Sequence, residues 1–368
     1  MKALFIVVGM IALVFSLGIS ADVDAKPLGN RTGIVICAYD TTTSACDYTA
    51  DGINDEEQIN QALSSLPVTG GSVYLTGGHF SIGDSGVAHG GVVITKSGTH
   101  LQGSGLGTKL TLMAGTLDTN VIEVVGDGIA NVVISDLWID ANRANQQAST
   151  LPAIFQSNGI RVSSSEAATG YSNASNITVR DVRVEECANL CVMMRGSDLT
   201  IEDSRFGNAS NDVVELLQGP GSITNNHFEI TARTGVVIST DAANDILISG
   251  NTVTITSKAV VGVGIRTWHG FRRNNVQNNI INVAGGGMLK YAMLIGTSRS
   301  IVSGNTIQAD GKRIRMLITA SPVLLTGNYL CYVDITINAI YNDVSGGGDL
   351  GVVIGDNILH NTTITVVE

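Results

Sequence analysis

The chain has 368 residues, only 14% of them charged, with 43 Gly against 5 Pro and a formal net charge of −11. That length holds a large core, and low charge with abundant Gly, Val, Ile and Asn fits a turn-rich β protein. The acidic balance and the lack of any Lys/Arg run argue against nucleic acid as a partner. No Cys/His spacing of the zinc type occurs.

At the N-terminus, Lys2 precedes the apolar stretch 3–19. Val23-Asp24-Ala25 is a cleavage motif, with Ala21 as an alternative. This reads as a signal peptide over 1–25. It predicts a secreted, periplasmic or cell-surface protein that has no membrane association after cleavage. The competing reading is a single membrane anchor, because the apolar stretch approaches the lower limit for spanning. Export permits disulfides. Of the five cysteines, Cys37 and Cys46 can close a small loop. Cys187 and Cys191 are near in sequence but can sit on different faces, and Cys331 reads as a small core hydrophobe.

Residues 26–66 form a leading segment and a helix. Residues 26–50 read as irregular and polar. Asn54 or Asp55 then caps a helix, and Ile59, Ala62, Leu63 and Leu66 give it one apolar stripe. An open solenoid end exposes core and unpaired strands, so this helix is expected to cap one.

From 67 to 368 one phrase keeps returning: two short β-branched runs with Asn or Asp between them, often after Gly. Its pivots are Asp136, Asp181, Asp203, Asn226, Asn251, Asn279, Asn305, Asn328 and Asn357. After a first gap of 45 residues they lie 22 to 29 apart. Val, Ile and Thr suit strands, and Asn, Asp and Gly turn the chain sharply. The units alternate at period two, not 3.6. The pattern predicts a parallel β-helix of roughly ten coils, three strands per coil, with the pivots stacked at one turn. Two insertions, 140–158 and 163–175, interrupt it and flank the strand at 159–162. Long loops on a rigid scaffold are where binding surfaces are usually built.

The string Asp51-Gly52 … Asp55 … Ile59 … Ala62-Leu63 … Gly70-Gly71-Ser72-Val73-Tyr74-Leu75 … Gly77 … Phe80 … Ile82 … Leu101-Gln102-Gly103-Ser104-Gly105 resembles the opening of the pectate-lyase-like superfamily. It is more closely similar to the rhamnogalacturonase/epimerase-like pectate lyase domain. Ile139-Asp140-Ala141-Asn142-Arg143 is similar to that family's Asp-Gly-Asn segment, with Ala for Gly. The resemblance covers about residues 48–366 and implies an all-β, right-handed parallel β-helix. Its members include lyases, hydrolases, uronate epimerases and non-catalytic surface proteins, so it does not fix the reaction.

In such β-helices the substrate lies across one exposed sheet. Transferred here, its strands are 159–162, 191–194, 213–216, 235–238, 264–267 and 292–295. Alternation points Arg161, Met193, Glu215, Val237, Arg266 and Leu294 outward, and a one-residue slip would exchange the faces. Adjacent turns add Arg195, Asn211, Asp212, Arg233, Asp241, Trp268, His269, Lys290 and Tyr291.

Lyase or epimerase chemistry removes the proton α to a uronate carboxylate, so it needs a cation for that carboxylate and groups that move protons. The expected catalytic residues are His269, Arg266, Glu215 and Asp212. Arg161, Arg195, Arg233, Asp241, Lys290 and Tyr291 are the expected substrate contacts. No metal ligand set is assigned; because some family members use Ca²⁺, Asp212, Glu215 and Asp241 are its conceivable oxygen ligands. The hydrolase signatures Asn-Thr-Asp, Asp-Asp, Gly-His-Gly and Arg-Ile-Lys do not occur in order, and the epimerase signature Tyr-Gly-Phe-Asp-Pro-His is absent. The expectation is an exported protein acting on a polysaccharide, in particular a uronate-containing one, by β-elimination or epimerisation. The alternatives are a non-catalytic adhesive β-helix and a glycoside hydrolase.

Overall fold

The computed structural model describes residues 33–41, 45–147, 157–165, 171–256, 258–269, 273–310, 312–320, 322–338 and 351–367. The expected signal peptide lies outside them, as do 148–156 and 166–170 of the two insertions. Each coil contributes a strand to three faces in turn. The first complete coil places Gly71–Leu75 in sheet A, Gly78–Ile82 in sheet B and Gly90–Ile94 in sheet C. Successive coils pair in parallel within each sheet. Among the described residues sheet B has eleven strands, hence eleven coils. The parallel crossovers wind right-handed, and the fold is a right-handed parallel β-helix.

Period-two alternation sends Val, Ile and Leu inward. A single buried cluster runs from Ile34 through Leu110, Ile201 and Ile281 to Ile337. A ladder of side-chain amides runs alongside it. Asn226, Asn251, Asn279, Asn305 and Asn328 are at most 1% exposed. Each donates its Nδ2 to the Oδ1 of the next, at 2.9 to 3.0 Å, ending at Asn357. Every Nδ2 also reaches a backbone carbonyl one coil back, such as Ile248 from Asn279. The buried turn groups are thereby satisfied, which a close-packed interior requires.

The first three pivots are not members of this ladder. Asp136, Asp181 and Asp203 hold φ of 57, 53 and 50°, the left-handed corner that Asn225 and Gly250 occupy in later coils. The ladder position in that coil is Ser204, whose N–H donates to Asn226 Oδ1 at 3.0 Å. Asp and Asn suit both adjacent turn positions, so the sequence repeat alone merges them.

The N-terminal segment also differs from expectation. Gly33–Cys37 is a strand that pairs with Gly71–Leu75, and Tyr48–Thr49 pairs with it in turn. The run Gly-Ile-Val-Ile-Cys has the β-branched character to do this. The helix spans Glu56–Ser65, and its residues Ile59, Ala62 and Leu63 join the core. Asp55 occupies the N-cap position without a side-chain cap bond. Its carboxylate instead accepts from the N–H of Gly52 and of Ser81, both at 2.7 Å. Cys37 is bonded to Cys46 and Cys187 to Cys191. Cys331 is a half-buried free thiol and lies outside the core.

Candidate functional site

The site is built on the outer face of sheet C. Register aligns Glu123, Arg161, Met193, Glu215, Ser239, Arg266 and Leu294, one per coil. Val237 is not in that row. It and the adjacent Ile238 both point into the core, where they are fully buried. Val213 and Val214 do the same one coil earlier, which leaves both Asp212 and Glu215 on the outer face.

Four side chains converge there. Arg266 Nη2 lies 2.7 Å from Asp212 Oδ2 and 3.5 Å from Glu215 Oε1. Ser239 Oγ accepts from Arg266 Nε and Nη2 at 3.1 and 2.9 Å, and donates to Glu215 Oε1 at 3.2 Å. Asp212 and Glu215 are 4% and 6% exposed. Burial pushes the carboxyl of Asp212 up to about 6 and that of Glu215 up to about 7, against the pull of Arg266. The dry surroundings are identifiable. Met193 sits beside Glu215, and with Leu190 and Leu217 it forms a buried apolar cluster separate from the main core. The carboxylates of Asp212 and Asp241 further discourage ionisation of Glu215. Two carboxyls that change charge near neutrality around one guanidinium have the proton affinities that acid–base chemistry requires.

Asp241 leads toward the solvent. It aligns with Leu217 and Trp268, and its Oδ1 lies 2.9 Å from His269 Nδ1. The His269 side chain is 65% exposed and its backbone is left-handed, with φ 50°. The Trp268 ring packs edge-on against the imidazole at 5.0 Å. The acid pair thus marks the buried end of the site and the Asp241–His269 pair its exposed end.

The other expected contacts divide. Arg161 is no open contact: it is 1% exposed and ion-paired with Glu123, which is 0% exposed and also accepts from Asn120. A charge withdrawn this far stays only when paired. Arg195 is also buried, and burial together with Arg161 lowers the pKa of its guanidinium, while Glu215 acts to raise it. It borders the acid pair from the preceding coil. Arg233 is exposed on the turn before Thr234–Asp241 and contacts none of the four. Lys290 Nζ stands 5.2 Å from the Tyr291 ring centroid. Tyr291 follows Val263, Val236 and Asp212 in one row, so it lies three coil spacings, about 14 Å, from Asp212.

Sequence reasoning missed Ser239 and Glu123. Ser239-Thr240-Asp241 follows the apolar run 236–238, and its 24- and 27-residue offsets from Glu215 and Arg266 were the available signal for Ser239. The residues do not fit calcium. A guanidinium lies between Asp212 and Glu215, and among the described residues no three His, Cys, Asp or Glu side chains converge as a ligand set.

Comparison with known proteins agrees with the fold. A family model described as "Right handed beta helix region" matches residues 120–281. The solved structure of the A-module of mannuronan C-5 epimerase AlgE6 from Azotobacter vinelandii superposes with a TM-score of 0.59 at 17% identity, covering 86% of this chain and 84% of that one. The chain has the fold of a right-handed parallel β-helix. A DFA-IIIase from Arthrobacter chlorophenolicus A6 shares the fold, with a TM-score of 0.51 at 14% identity over 90% of this chain and 84% of that one. In sequence, the chain is 28% identical over 215 residues to mannuronan C5-epimerase AlgE1 of Azotobacter vinelandii, covering 55% of this chain and 14% of that protein. To AlgE4 it is 29% identical over 101 residues, covering 26% of this chain and 18% of that protein. The chain therefore corresponds to a minor portion of these relatives.

Proposed function

We propose that this β-helix is an exported carbohydrate-active protein that acts on a uronate-containing polysaccharide. The proposed chemistry is abstraction of the proton α to a uronate carboxylate, leading to β-elimination or epimerisation. The observation that carries this reading is the Asp212–Glu215 pair around Arg266, with carboxyls raised to about 6 and 7. A substrate carboxylate is served by Arg266, whose Nη1 takes part in none of the bonds to Asp212, Glu215 and Ser239. Neutralising that carboxylate acidifies the adjacent C–H and stabilises the charge that develops when it breaks. Glu215, ionised, receives the proton on the inner side. His269 is oriented by Asp241 and moves a proton on the outer side. Return of a proton to carbon from the opposite face gives the epimer. Delivery of a proton to the departing glycosidic oxygen instead completes elimination.

The names of the sequence relatives, mannuronan C5-epimerases, support the substrate class. Export is supported by the signal-like sequence over 1–25 and by two disulfides. A second reading, glycoside hydrolysis, is favoured by one feature: two carboxyls of raised pKa at one locus, which general acid–base hydrolysis also employs.

The test is incubation with a panel of polyuronates, mannuronan included, in heavy water. Deuterium at the α-carbon, with or without a new unsaturated absorbance, supports the proposal. New reducing ends without either result select hydrolysis. Binding with no chemical change on any polymer makes the protein an adhesive β-helix and ends the catalytic reading.

A further inference from the structure

A second row of side chains lies on sheet B, away from this site. The strands Gly78–Ile82, Thr108–Leu112, Trp138–Asp140, Arg183–Glu185, Arg205–Phe206 and His227–Ile230 stack in consecutive coils. Register aligns His79, Lys109, Trp138, Arg183, Arg205 and His227 in one line. All six are half-buried or exposed, and none is acidic. In a chain of net charge −11 with few charged residues, six consecutive coils carrying three Lys/Arg, two His and one Trp form a distinct feature. At about 4.8 Å per coil the row is about 24 Å long.

The row is held rigid. Lys109 Nζ and the Arg183 guanidinium flank the Trp138 ring at 4.2 and 4.7 Å, and Trp138 Nε1–H donates to Glu185 Oε1 at 2.9 Å. Acids stand beside the cations on the same outward face: Asp140 pairs with Lys109 at 2.9 Å and Glu185 with Arg183 at 2.7 Å. In both pairs the cation is the more exposed member, 29% against 23% and 39% against 20%. Farther along, Arg205 and His227 are exposed and make no side-chain bond among the described residues. The cations occupy one row, and Asp140, Glu185 and, farther along, Glu229 stand on the outward positions two residues beyond it.

We propose that this row is a second, non-catalytic docking track for a linear anionic polysaccharide lying parallel to the coil stack. A polymer with one carboxylate per sugar offers repeating charge to cations fixed at multiples of the coil spacing. Pre-ordering by Trp138 removes part of the entropic cost of binding. Single contacts of this exposed kind are weak, so the track works through many sugars at once. The polymer class rests on the function proposed above; the site does not, since it shares no residue with the acid pair.

The experiment is affinity electrophoresis of the full chain through gels containing a polyuronate, at low and high salt. A Glu215→Gln background prevents turnover. Arg205→Glu with Lys109→Ala should weaken retardation about tenfold, and Arg205→Gln should do so in part. Arg180→Glu, the same charge change on sheet A, should leave it in place. Added salt should abolish the difference between variants. Retardation that survives in the sheet B variants but disappears in Arg266→Ala overturns the track and leaves the proposed function standing. Row-dependent retardation in a protein that alters no polyuronate leaves the track standing and removes the catalytic reading. Equal retardation by DNA, or by a neutral glucan, overturns recognition of an anionic polysaccharide.

Discussion

Glu215→Gln separates the electrostatics of the acid pair from its chemistry. In the folded chain the Glu215 carboxyl is raised from 4.5 to about 7, chiefly by burial. In the unfolded chain it ionises at the ordinary value. Below the unfolded value both states hold the proton and nothing is lost. As pH rises the unfolded chain releases its proton first, so stability falls, and the loss is complete once pH passes about 7. The linkage amounts to about 3 kcal/mol, an upper figure because Asp212 sheds its proton in the same range. The amide keeps the acceptor for Ser239 and cannot ionise, so the variant lacks this slope. Relative to the parent it should gain about 2–3 kcal/mol between about pH 4 and about pH 8. Both proteins retain the slopes of Asp55, Glu56 and Asp118, whose carboxyls burial also raises, and the difference between the two proteins cancels them. Stacked coils open in segments. Hydrogen exchange of the amides in Asp212–Gln218 and Thr234–Asp241 therefore reads the effect locally, with urea midpoints as the global measure. Parallel pH profiles for the two proteins would refute the raised carboxyl and the acid–base role built on it.

Three further outcomes follow from the same contacts. Arg266→Ala removes the cation shared by two buried carboxylates, so it should abolish turnover and cost about 3–5 kcal/mol above neutrality; urea unfolding at acid pH should show a much smaller loss, because protonated carboxyls need no counter-charge. His269→Ala alters a side chain that is 65% exposed, so its unfolding midpoint should match the parent while deuterium incorporation into substrate is lost; unimpaired incorporation would remove His269 from the mechanism. Asn279→Ala breaks bonds to Asn251, Asn305 and the Ile248 carbonyl; each orphaned buried group costs about 1–3 kcal/mol, and exchange protection should fall around 250–306 before it falls elsewhere.

The fold was legible because a β-helix writes its geometry into the chain once per coil. Inward Val and Ile, and an amide ladder that needs a donor and an acceptor at the same turn each time, impose a visible period. The same period brought Asp212 and Arg266 together in the sequence reading: they are 54 residues apart but only two coils apart. Legibility failed where two neighbouring positions accept the same residue types. Asp203 and Asn226 both suit a turn, yet one is a left-handed corner and the other a buried amide that bridges coils. Only the accounting of hydrogen bonds distinguishes them.

Burial was the other hidden quantity. Alternation gives a side chain's direction and is silent on what stands in front of it. Arg161 does point outward, in line with Glu215 and Arg266, but it is withdrawn from solvent and committed to Glu123, 38 residues earlier. The same dryness gives Glu215 and Asp212 their raised carboxyls, through Met193, Leu190 and Leu217 on the outer face. Apolar residues at outward positions therefore set the proton affinity of the acids beside them. Replacing Met193 with a polar residue of similar size, Met193→Gln, should lower the Glu215 carboxyl toward its ordinary range and shift the alkaline-going limb of any activity profile to lower pH. An unchanged limb would assign the elevation to the neighbouring charges of Asp212 and Asp241 instead.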